Sequence, residues 1–219
     1  MDDCCATDLE AGFDEGIAAG DLRAYRRDGL PGDQRRLLAA LLAEGMEDRT
    51  ILDIGGGVGA IHHDLLRAGA RSVTDVDGST AYLQTAEREA RRQGDIDRVR
   101  YEHGDFVQLA DRIEPADAVL LLRVLCCYPD MPTLVGASTA KARRWYALIY
   151  PRSTWWLRGA AKVYDLLRPV IGPGSGPGYV HDERDVDAAV RAAGFSPMVE
   201  DATRLWRIAL YRRTGSPAA

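Results

Sequence analysis

The stretch that decides the fold reads Thr50-Ile51-Leu52-Asp53-Ile54-Gly55-Gly56-Gly57-Val58-Gly59-Ala60-Ile61. A short apolar run is interrupted by four glycines within five positions, and apolar residues then resume at helical spacing. This pattern predicts a strand, a tight turn and a helix. Because glycine adopts positive φ angles and has no Cβ, a ligand can approach the main-chain N–H groups of such a turn. The turn is therefore predicted to be a binding surface.

Two classes of nucleotide ligand suit this turn. Read as Gly55-x-Gly57-x-x-Ala60, it fits the dinucleotide fingerprint, in which a pyrophosphate lies at the helix N-terminus. Read as Asp53-x-Gly55-x-Gly57-x-Gly59, it resembles the first motif of the class I S-adenosylmethionine-dependent methyltransferases. Asp53 favours the second interpretation, because a carboxylate beside the turn attracts an ammonium group and repels a pyrophosphate. A glycine turn that binds no ligand also stays open.

Composition and charge limit the classes of partner. The formal net charge of −5 and a pI near 5.4 argue against nucleic acid or an anionic membrane surface as the main partner. The N-terminus lacks the basic start and apolar stretch of a secretory signal, and the apolar run at 118–122 is too short to span a bilayer. We therefore expect a cytoplasmic protein without membrane insertion, and a homodimer stays open. The resemblance to methyltransferases implies that its partner is a small-molecule methyl acceptor.

Strand and helix patterns alternate after the glycine turn, as is typical of a parallel sheet with helices on both faces. We predict strands near 50–54, 72–76, 98–102, 117–122 and 144–150, and helices near 58–68, 79–93, 130–142, 154–167 and 183–193. Extended stretches near 195–202 and 204–212 are too close in sequence for a helix between them, so they pair antiparallel or lie apart. The predicted fold class is α/β: a doubly wound, seven-stranded, mostly parallel sheet. The resemblance to class I methyltransferases implies that an antiparallel hairpin closes it.

Residues 1–46 are expected to form an N-terminal helical cap within the same domain as the methyltransferase domain, residues 47–219. Two helices are predicted in the cap, separated by a turn at 28–32. In the family that the sequence resembles, such an extension commonly folds over the cofactor. The candidates for ligand contact are Phe13, Tyr25 and Arg26, although ordinary packing would also explain these side chains.

A helical and Gly-Pro loop insertion is predicted near 151–181, where four glycines and two prolines occur between Ile171 and Gly178. We expect this loop to be a lid beside the site, although a plain linker would have the same composition.

Ligands of doubly wound sheets bind at the carboxyl ends of the strands. Asp77, followed by Gly78, ends the second strand, where a carboxylate can accept both ribose hydroxyls of either an adenosyl or an NAD ligand. Asp77 could instead cap the helix that follows it. The third strand ends in Gly104-Asp105-Phe106, which resembles the methyltransferase motif whose aspartate binds the adenine amino group while the next residue packs on the ring. This motif favours the methyltransferase interpretation over NAD.

The resemblance implies S-adenosylmethionine as the cofactor and S-adenosylhomocysteine as the product. The residues expected to bind it are Asp53, Gly55, Gly57, Gly59, Asp77, Gly78, Asp105, Phe106 and Arg123.

The segment that follows the fourth strand is where class I methyltransferases place residues facing the acceptor. Arg123 could bind a carboxylate bidentately, and Tyr128 could orient an acceptor or transfer a proton, although local packing would explain both residues as well. His181 is the candidate general base. The expected catalytic residues are thus Tyr128, His181 and Arg123, and the expected substrate-binding residues are Tyr128, Cys127, Trp155 and Tyr179.

The cysteines occur as two adjacent pairs, Cys4-Cys5 and Cys126-Cys127, unlike a disulfide framework. Neither pair has the Cys-x2-Cys spacing of a zinc site, so no metal is predicted. Core thiols, acceptor contacts and soft-metal ligands are the open roles for Cys126 and Cys127. His62 and His63 follow the glycines directly, and surface or capping roles are expected for them.

The predicted function is S-adenosylmethionine-dependent transfer of a methyl group to an oxygen, nitrogen or sulfur atom of a small molecule. A fainter similarity to magnesium-protoporphyrin O-methyltransferases is carried by Tyr150-Pro151-Arg152, the tryptophan-bearing helix and Tyr179-Val180-His181. It implies a tetrapyrrole-type carboxyl O-methyltransferase as a narrower possibility. Three further functions stay open: a thiol or metalloid methyltransferase that uses the cysteine pairs, an NAD-dependent oxidoreductase, and a noncatalytic adenosyl-binding module.

Overall fold

A computed structural model of the chain describes residues 13–157, 159 and 178–215. Cys4-Cys5, most of the Gly-Pro loop and most of the helix expected near 154–167 lie outside these residues. The strands are β1 (Thr50–Ile54), β2 (Ser72–Asp77), β3 (Val99–His103), β4 (Ala116–Leu122), β5 (Ala142–Pro151), β6 (Phe195–Ala202) and β7 (Trp206–Arg213). The helices are α1 (Glu15–Asp28), α2 (Gly32–Ala43), α3 (Ala60–Arg67), α4 (Thr80–Gln93), α5 (Phe106–Leu109), α6 (Met131–Lys141) and α7 (Glu183–Ala192).

The seven strands form one sheet in the order β3-β2-β1-β4-β5-β7-β6. Strands β1 to β5 run parallel to one another, whereas β7 is antiparallel to both β5 and β6. The prediction of a doubly wound sheet closed by an antiparallel hairpin is confirmed. The strand order reverses between β1 and β4, so a crevice opens at the carboxyl ends of these two strands.

Strand β4 shows why the sheet carries two hydrophobic cores. Successive side chains of a strand point to opposite faces, and Ala118 to Leu121 are all fully buried. On one face, Val119 and Leu121 belong to the core that includes side chains of α6 and α7. On the other face, Ala118 and Leu120 belong to the core that includes side chains of α2 and α3. Both faces of the sheet are therefore covered by helices.

Helix α3 begins at Ala60, two residues later than the sequence pattern predicted. The cause is Gly59, whose φ of +75° is left-handed and incompatible with a right-handed helix. Capping residues set the beginnings of two more helices. Ser79 caps α4 and Asp105 caps α5, each by accepting a main-chain N–H with its side chain.

The two N-terminal helices pack against different parts of the sheet unit. Ala18 and Leu22 of α1 form a small buried cluster with Val58 and Tyr82, whereas α2 joins the core beneath β1 and β4. The helices therefore lie over the crevice at the strand ends. In the part of the chain that the structure describes, no helix is long and apolar enough to cross a membrane.

Candidate functional site

A cavity of about 430 Å³ opens at the carboxyl ends of the central strands, beneath the N-terminal helices. This volume lies within the range of small-molecule sites, roughly 300–1,000 Å³. Its walls come from the glycine turn, the ends of β2, β3 and β4, and helices α1 and α2. The wall residues that were expected to bind cofactor are Asp53, Gly55, Gly57, Asp77, Gly78, Asp105, Phe106 and Arg123.

The glycine turn is fixed by the backbone and by its neighbours. Gly55, Gly57 and Gly59 have φ angles of +66°, +60° and +75°, in the left-handed region. A Cβ on Gly55 would lie 2.5 Å from the Val124 side chain, and a Cβ on Gly59 would overlap the His62 imidazole. Gly59 is not part of the cavity wall and acts instead by allowing α3 to begin where it does. The first two glycines leave main-chain atoms beside the cavity.

Asp77 organises the wall opposite the turn. Its Oδ2 accepts the Gly57 N–H at 3.0 Å and its Oδ1 accepts the Ser79 N–H at 2.8 Å. The carboxylate is buried, and burial raises the pKa of Asp77 to about 6 in spite of these two hydrogen bonds. Asp77 thus ties the glycine turn to the end of β2 while it faces the cavity.

Asp105 and Phe106 form one end of the cavity together with Tyr128. The Asp105 Oδ1 accepts the Val107 N–H at 2.8 Å, and the Tyr128 hydroxyl donates to the Asp105 Oδ2 at 3.3 Å. Phe106 is buried beside them. Tyr128 therefore lies beside Asp105, at the end of the cavity where adenine was expected, and its expected roles in catalysis and acceptor binding remain predictions.

Arg123 joins β4 to the N-terminal cap. It has a left-handed φ of +65°, and its guanidinium lies 4.5 Å from the centroid of the Trp206 ring. The same guanidinium donates to the Asp33 Oδ2 at 2.7 Å, and Asp33 is only 5% exposed. The positive charge that was expected to meet a substrate carboxylate is thus already matched by a buried carboxylate of α2.

A buried polar cluster lies behind the glycine turn. Asp53 lines the cavity, and its Oδ2 accepts a hydrogen bond from the His62 Nδ1 at 2.9 Å. The expectation of a surface position for His62 and His63 is wrong, because both side chains are fully buried. Burial lowers the pKa of His63 to about 3, so its imidazole is neutral. Asp75, which the sequence analysis did not single out, is also fully buried.

The sequence contains an indication that Asp75 is buried, but it is informative only once the pairing of β1 with β2 is known. Asp75 lies between Thr74 and Val76 inside β2, in register with Asp53 on the adjacent parallel strand. Side chains of paired residues in a parallel sheet share a face. Two acidic residues at matched strand positions therefore indicate a buried pair once the pairing of β1 and β2 is known.

The cap contributes further wall residues, and only part of the set was anticipated. Phe13 and Tyr25 line the cavity as suggested, and Asp21 and Gln34 do so as well. Arg26 is not brought to the cavity wall: its guanidinium pairs with the buried Glu89 on α4. Successive residues of a helix point about 100° apart, and Arg26 is directed toward Glu89 rather than toward the cavity that Tyr25 lines.

Three of the expected catalytic or substrate residues lie away from the cavity wall. The His181 Nε2 lies 2.9 Å from the Leu125 carbonyl oxygen and 3.0 Å from that of Tyr128, so it donates to the backbone. The Tyr179 N–H donates to the Cys126 carbonyl oxygen at 2.8 Å, and its ring stacks on His181. The Trp155 side chain is 86% exposed. Their expected roles in catalysis or substrate binding remain predictions.

The sequence of the central part of the chain is similar to that of known methyltransferases. Residues 51–144 match the methyltransferase domain family Methyltransf_25. Over 94 residues the chain is 39% identical to the ubiquinone biosynthesis O-methyltransferase of Alkalilimnicola ehrlichii. That match covers 42% of this chain and only 37% of the curated relative, well under half of its length.

Solved structures resemble the whole fold. The magnesium protoporphyrin IX methyltransferase of Synechocystis PCC 6803, crystallised with bound SAH, is 23% identical with a TM-score of 0.72, and the match covers 96% of this chain and 100% of that one. A geranyl diphosphate C-methyltransferase of Streptomyces coelicolor A3(2) is 15% identical with a TM-score of 0.66, over 97% of this chain and 88% of that one. The [4+2]-cyclase SpnF has a TM-score of 0.63 at 14% identity, over 81% and 80% of the two chains.

The seven-stranded sheet with its antiparallel hairpin is that of the class I methyltransferase fold. The resemblance inferred from the sequence motifs is confirmed. Residues 51–144, less than half of the chain, are similar in sequence to the methyltransferase domains of Methyltransf_25. The fold by itself does not establish the reaction, since a cyclase shares it.

Proposed function

We propose that the protein transfers the methyl group of S-adenosylmethionine to a small-molecule acceptor. The observation that carries this proposal is the placement of Asp53, Asp77 and Asp105 around one cavity beside the glycine turn. The three carboxylates lie at or near the ends of three different strands, an arrangement that suits a nucleoside with an amino-acid tail. The match of residues 51–144 to a methyltransferase domain family supports the same assignment.

The residues present fit such a cofactor. Gly55 and Gly57 leave the turn without side chains on the cavity side, and the Gly55 position has no room for a Cβ. Asp77 is assigned to the ribose hydroxyls, since its carboxylate still has acceptor capacity beyond its two main-chain bonds. Asp105 is assigned to the adenine amino group and Phe106 to the adenine ring. Asp53 supplies negative charge near the amino-acid end of the cofactor.

Methyl transfer is an in-line displacement, for which the bound cofactor supplies an electrophilic methyl group on a positively charged sulfur. The main task of the chain is to align donor and acceptor and to exclude water, and alignment of this kind contributes roughly 7–11 kcal/mol in favourable cases. The walls formed by α1 and α2, including Tyr25 and Gln34, close the cavity from above. We place the acceptor between these helices and Arg123, since Tyr128 lies with Asp105 at the adenine end.

A tetrapyrrole carboxyl acceptor is the second candidate. It is favoured by the likeness to a magnesium protoporphyrin IX methyltransferase along its full length. Against it stands the Arg123–Asp33 ion pair, which leaves the guanidinium with little net attraction for a substrate carboxylate. Oxygen acceptors in general are the first to be tested, because the curated relative is an O-methyltransferase.

The proposal is tested by calorimetric titration with S-adenosylmethionine, S-adenosylhomocysteine and NAD, followed by incubation with methyl-labelled donor and a panel of phenols, carboxylates, amines and thiols. The panel includes magnesium protoporphyrin IX. We expect both adenosyl ligands to bind, NAD not to bind, and label to appear on at least one small acceptor. Binding of NAD alone would replace the proposal with an oxidoreductase. Tight adenosyl binding with no labelled product from the panel would favour a noncatalytic binding module.

A further inference from the structure

The two adjacent cysteines lie on the short 3-10 turn Leu125–Cys127, directly after β4. The turn is tight because Arg123 has a left-handed φ of +65° and the Cys127 N–H donates to the Val124 carbonyl oxygen at 2.8 Å. Both sulfurs point back to one acceptor, the Arg123 carbonyl oxygen. The Sγ of Cys126 lies 3.0 Å from it and the Sγ of Cys127 lies 3.9 Å from it. Adjacent cysteines rarely converge, but this turn makes them do so.

Both cysteines are thiols, and one of them reaches the cavity. Both cysteines are free and half-buried, and Cys127 forms part of the cavity wall. The neighbouring Cys127 sulfur, together with burial, raises the pKa of the Cys126 thiol, and the neighbouring Cys126 lowers the pKa of Cys127. The result is a thiol that holds its proton beside a sulfur that releases its proton more readily, and the thiolate is the nucleophilic form.

The number of ligands decides what such a pair can hold. Among the described residues, no group of three or more histidine, cysteine, aspartate or glutamate side chains is arranged to hold a metal ion. Structural zinc sites need four ligands, so a closed zinc site does not fit this pair. A trivalent arsenical with one organic substituent needs two sulfur ligands, and soft thiolate donors are those it favours.

We propose that Cys126 and Cys127 form a dithiol site for a monosubstituted trivalent arsenical at the cavity wall. In the reaction with R–As(OH)₂, two S–H bonds and two As–O bonds break and two As–S bonds form. Each departing hydroxyl leaves as water with one thiol proton. Arsenic stays trivalent, so neither an oxidant nor a reductant is required. Because Cys127 lines the cavity, an arsenical held there competes with any ligand that fills the neighbouring space.

Phenylarsine oxide tests the site, with a Cys4→Ser/Cys5→Ser double variant as the starting protein so that the N-terminal cysteine pair is removed. We expect each bound equivalent to remove two titratable thiols of the subsequently unfolded protein. We also expect peptide mapping to place one arsenic on the peptide that contains both residues. The adduct is released by dithiothreitol and resists the monothiol 2-mercaptoethanol, because two As–S bonds must be exchanged together.

Single Cys126→Ser and Cys127→Ser changes in the same starting protein are the matched controls, checked for folding by circular dichroism. Each is expected to bind phenylarsine oxide at least about tenfold more weakly, with release by 2-mercaptoethanol, because one As–S bond is lost. Unchanged affinity in either folded variant, or an adduct on one sulfur in the starting protein, overturns the proposal. Peptide mapping of that protein gives the answer without the variants if they fail to fold.

This site is independent of the proposed methyl transfer. Saturation with S-adenosylhomocysteine is expected to slow the arsenical reaction several-fold, because the cofactor fills the cavity beside Cys127. If S-adenosylhomocysteine does not bind while the two-sulfur adduct still forms, the methyltransferase proposal fails and the dithiol site stands. If the cofactor binds and no two-sulfur adduct forms, the dithiol-site proposal fails and the methyltransferase proposal stands.

Discussion

Asp53 and Asp75 lie side by side in register on the parallel strands β1 and β2, and both are buried. Their carboxylates approach the same point beside the main chain: a Cβ on Gly56 would lie 2.5 Å from the Asp75 Oδ1 and 3.0 Å from the Asp53 Oδ2. Asp53 is partnered by His62. Burial, together with the charges of Asp53 and Asp77, raises the pKa of Asp75 well above its ordinary value. Asp75 therefore retains its proton to a higher pH than an ordinary aspartate does.

We predict that Asp75→Asn stabilises the protein, increasingly so as the pH rises. A carboxyl group whose pKa is raised by folding favours the folded state in its protonated form. Its contribution to the free energy of unfolding therefore falls by about 1.4 kcal/mol per pH unit above the unfolded pKa, near 3.9, and levels off once the pH passes the raised folded-state pKa. An amide does not titrate and avoids this loss. Urea unfolding of both proteins at pH 4.5, 5.5 and 6.5 measures the difference.

The matched control is Asp97→Asn, which changes an exposed carboxylate in the short turn before β3. Its difference from the wild type is expected to stay within about 0.5 kcal/mol across the same range. A constant difference for Asp75→Asn, independent of pH, would show that Asp75 does not carry the extra proton.

Much of the fold follows from the sequence because the signals are local. The apolar strands, the glycines and the short β6–β7 connection gave element positions within a few residues, and Gly55, Asp77 and Asp105 lie at the cavity as their strand-end positions predicted. Local patterns do not reveal partners that are distant along the chain. Arg123 is matched by Asp33, 90 residues away.

The burial of His62 and His63 is a second feature that the sequence pattern did not predict. His62 and His63 follow glycines in the first turn of α3, where polar residues are commonly exposed. Their burial follows from the packing of α3 against the sheet and from the Asp53 acceptor on β1. Similarly, His181 was predicted to be a base from its position after the Gly-Pro loop. Its Nε2 contacts the carbonyl oxygens of Leu125 and Tyr128, which are distant in sequence and are brought close only by the tertiary fold.

Gly59→Ala is predicted to destabilise the protein by at least about 1–2 kcal/mol. Alanine in the left-handed region is strained by that amount, and the new methyl group would also meet the buried imidazoles of His62 and His63. Gly136→Ala is the opposite control, because Gly136 lies within α6 with open space at its Cβ position. Alanine there should stabilise by about 0.5–1 kcal/mol. Equal effects in thermal unfolding would contradict this account of the turn.

The Arg123–Asp33 ion pair is predicted to hold α2 to the end of β4. Arg123→Gln should destabilise by about 1–3 kcal/mol, since Asp33 is left buried without its partner, although partial exposure of the arginine reduces the full cost of breaking a buried pair. The double variant with Asp33→Asn should recover part of that loss. A double-mutant cycle by urea unfolding gives the coupling energy, expected to exceed about 1 kcal/mol.

The surface pair Arg71–Asp48 provides the comparison for that cycle. Both side chains are mostly exposed, so the same substitutions there should give a coupling of about 0.2–1 kcal/mol at most. A coupling at Arg123–Asp33 no larger than this would mean that the pair contributes little to holding the cap.

Tyr128→Phe is predicted to weaken S-adenosylhomocysteine binding by about 2- to 10-fold. The hydroxyl donates to Asp105, and loss of a hydrogen bond of this kind costs about 0.5–1.5 kcal/mol. Calorimetric titration measures the dissociation constant, with Tyr179→Phe as a control whose ring lies off the cavity wall. If Tyr128 instead serves the acceptor, the cofactor affinity of Tyr128→Phe will be unchanged while turnover of a methylated acceptor falls.

The affinity for S-adenosylhomocysteine is predicted to fall as the solution is acidified through about pH 6. Burial raises the pKa of Asp77 to about 6, and its ionised form is the better acceptor for ribose hydroxyls and for the Gly57 and Ser79 N–H groups. If the cofactor binds only the ionised form, each pH unit below about 6 weakens binding by up to about tenfold. Calorimetric titrations from pH 7.5 to 5 measure this slope in the wild type.

The Asp77→Asn variant identifies the titrating group. It keeps one oxygen acceptor but has no ionised form, so it should bind about 10- to 150-fold more weakly than the wild type at pH 7.5, the range expected for loss of a hydrogen bond to a charged group. Its affinity should then change little down to pH 5. A variant that binds as tightly as the wild type removes Asp77 from the cofactor site. If Asp77→Asn keeps the pH dependence of the wild type, a group other than Asp77 causes it. The next residues to substitute are then the buried pair Asp53 and Asp75 behind the turn.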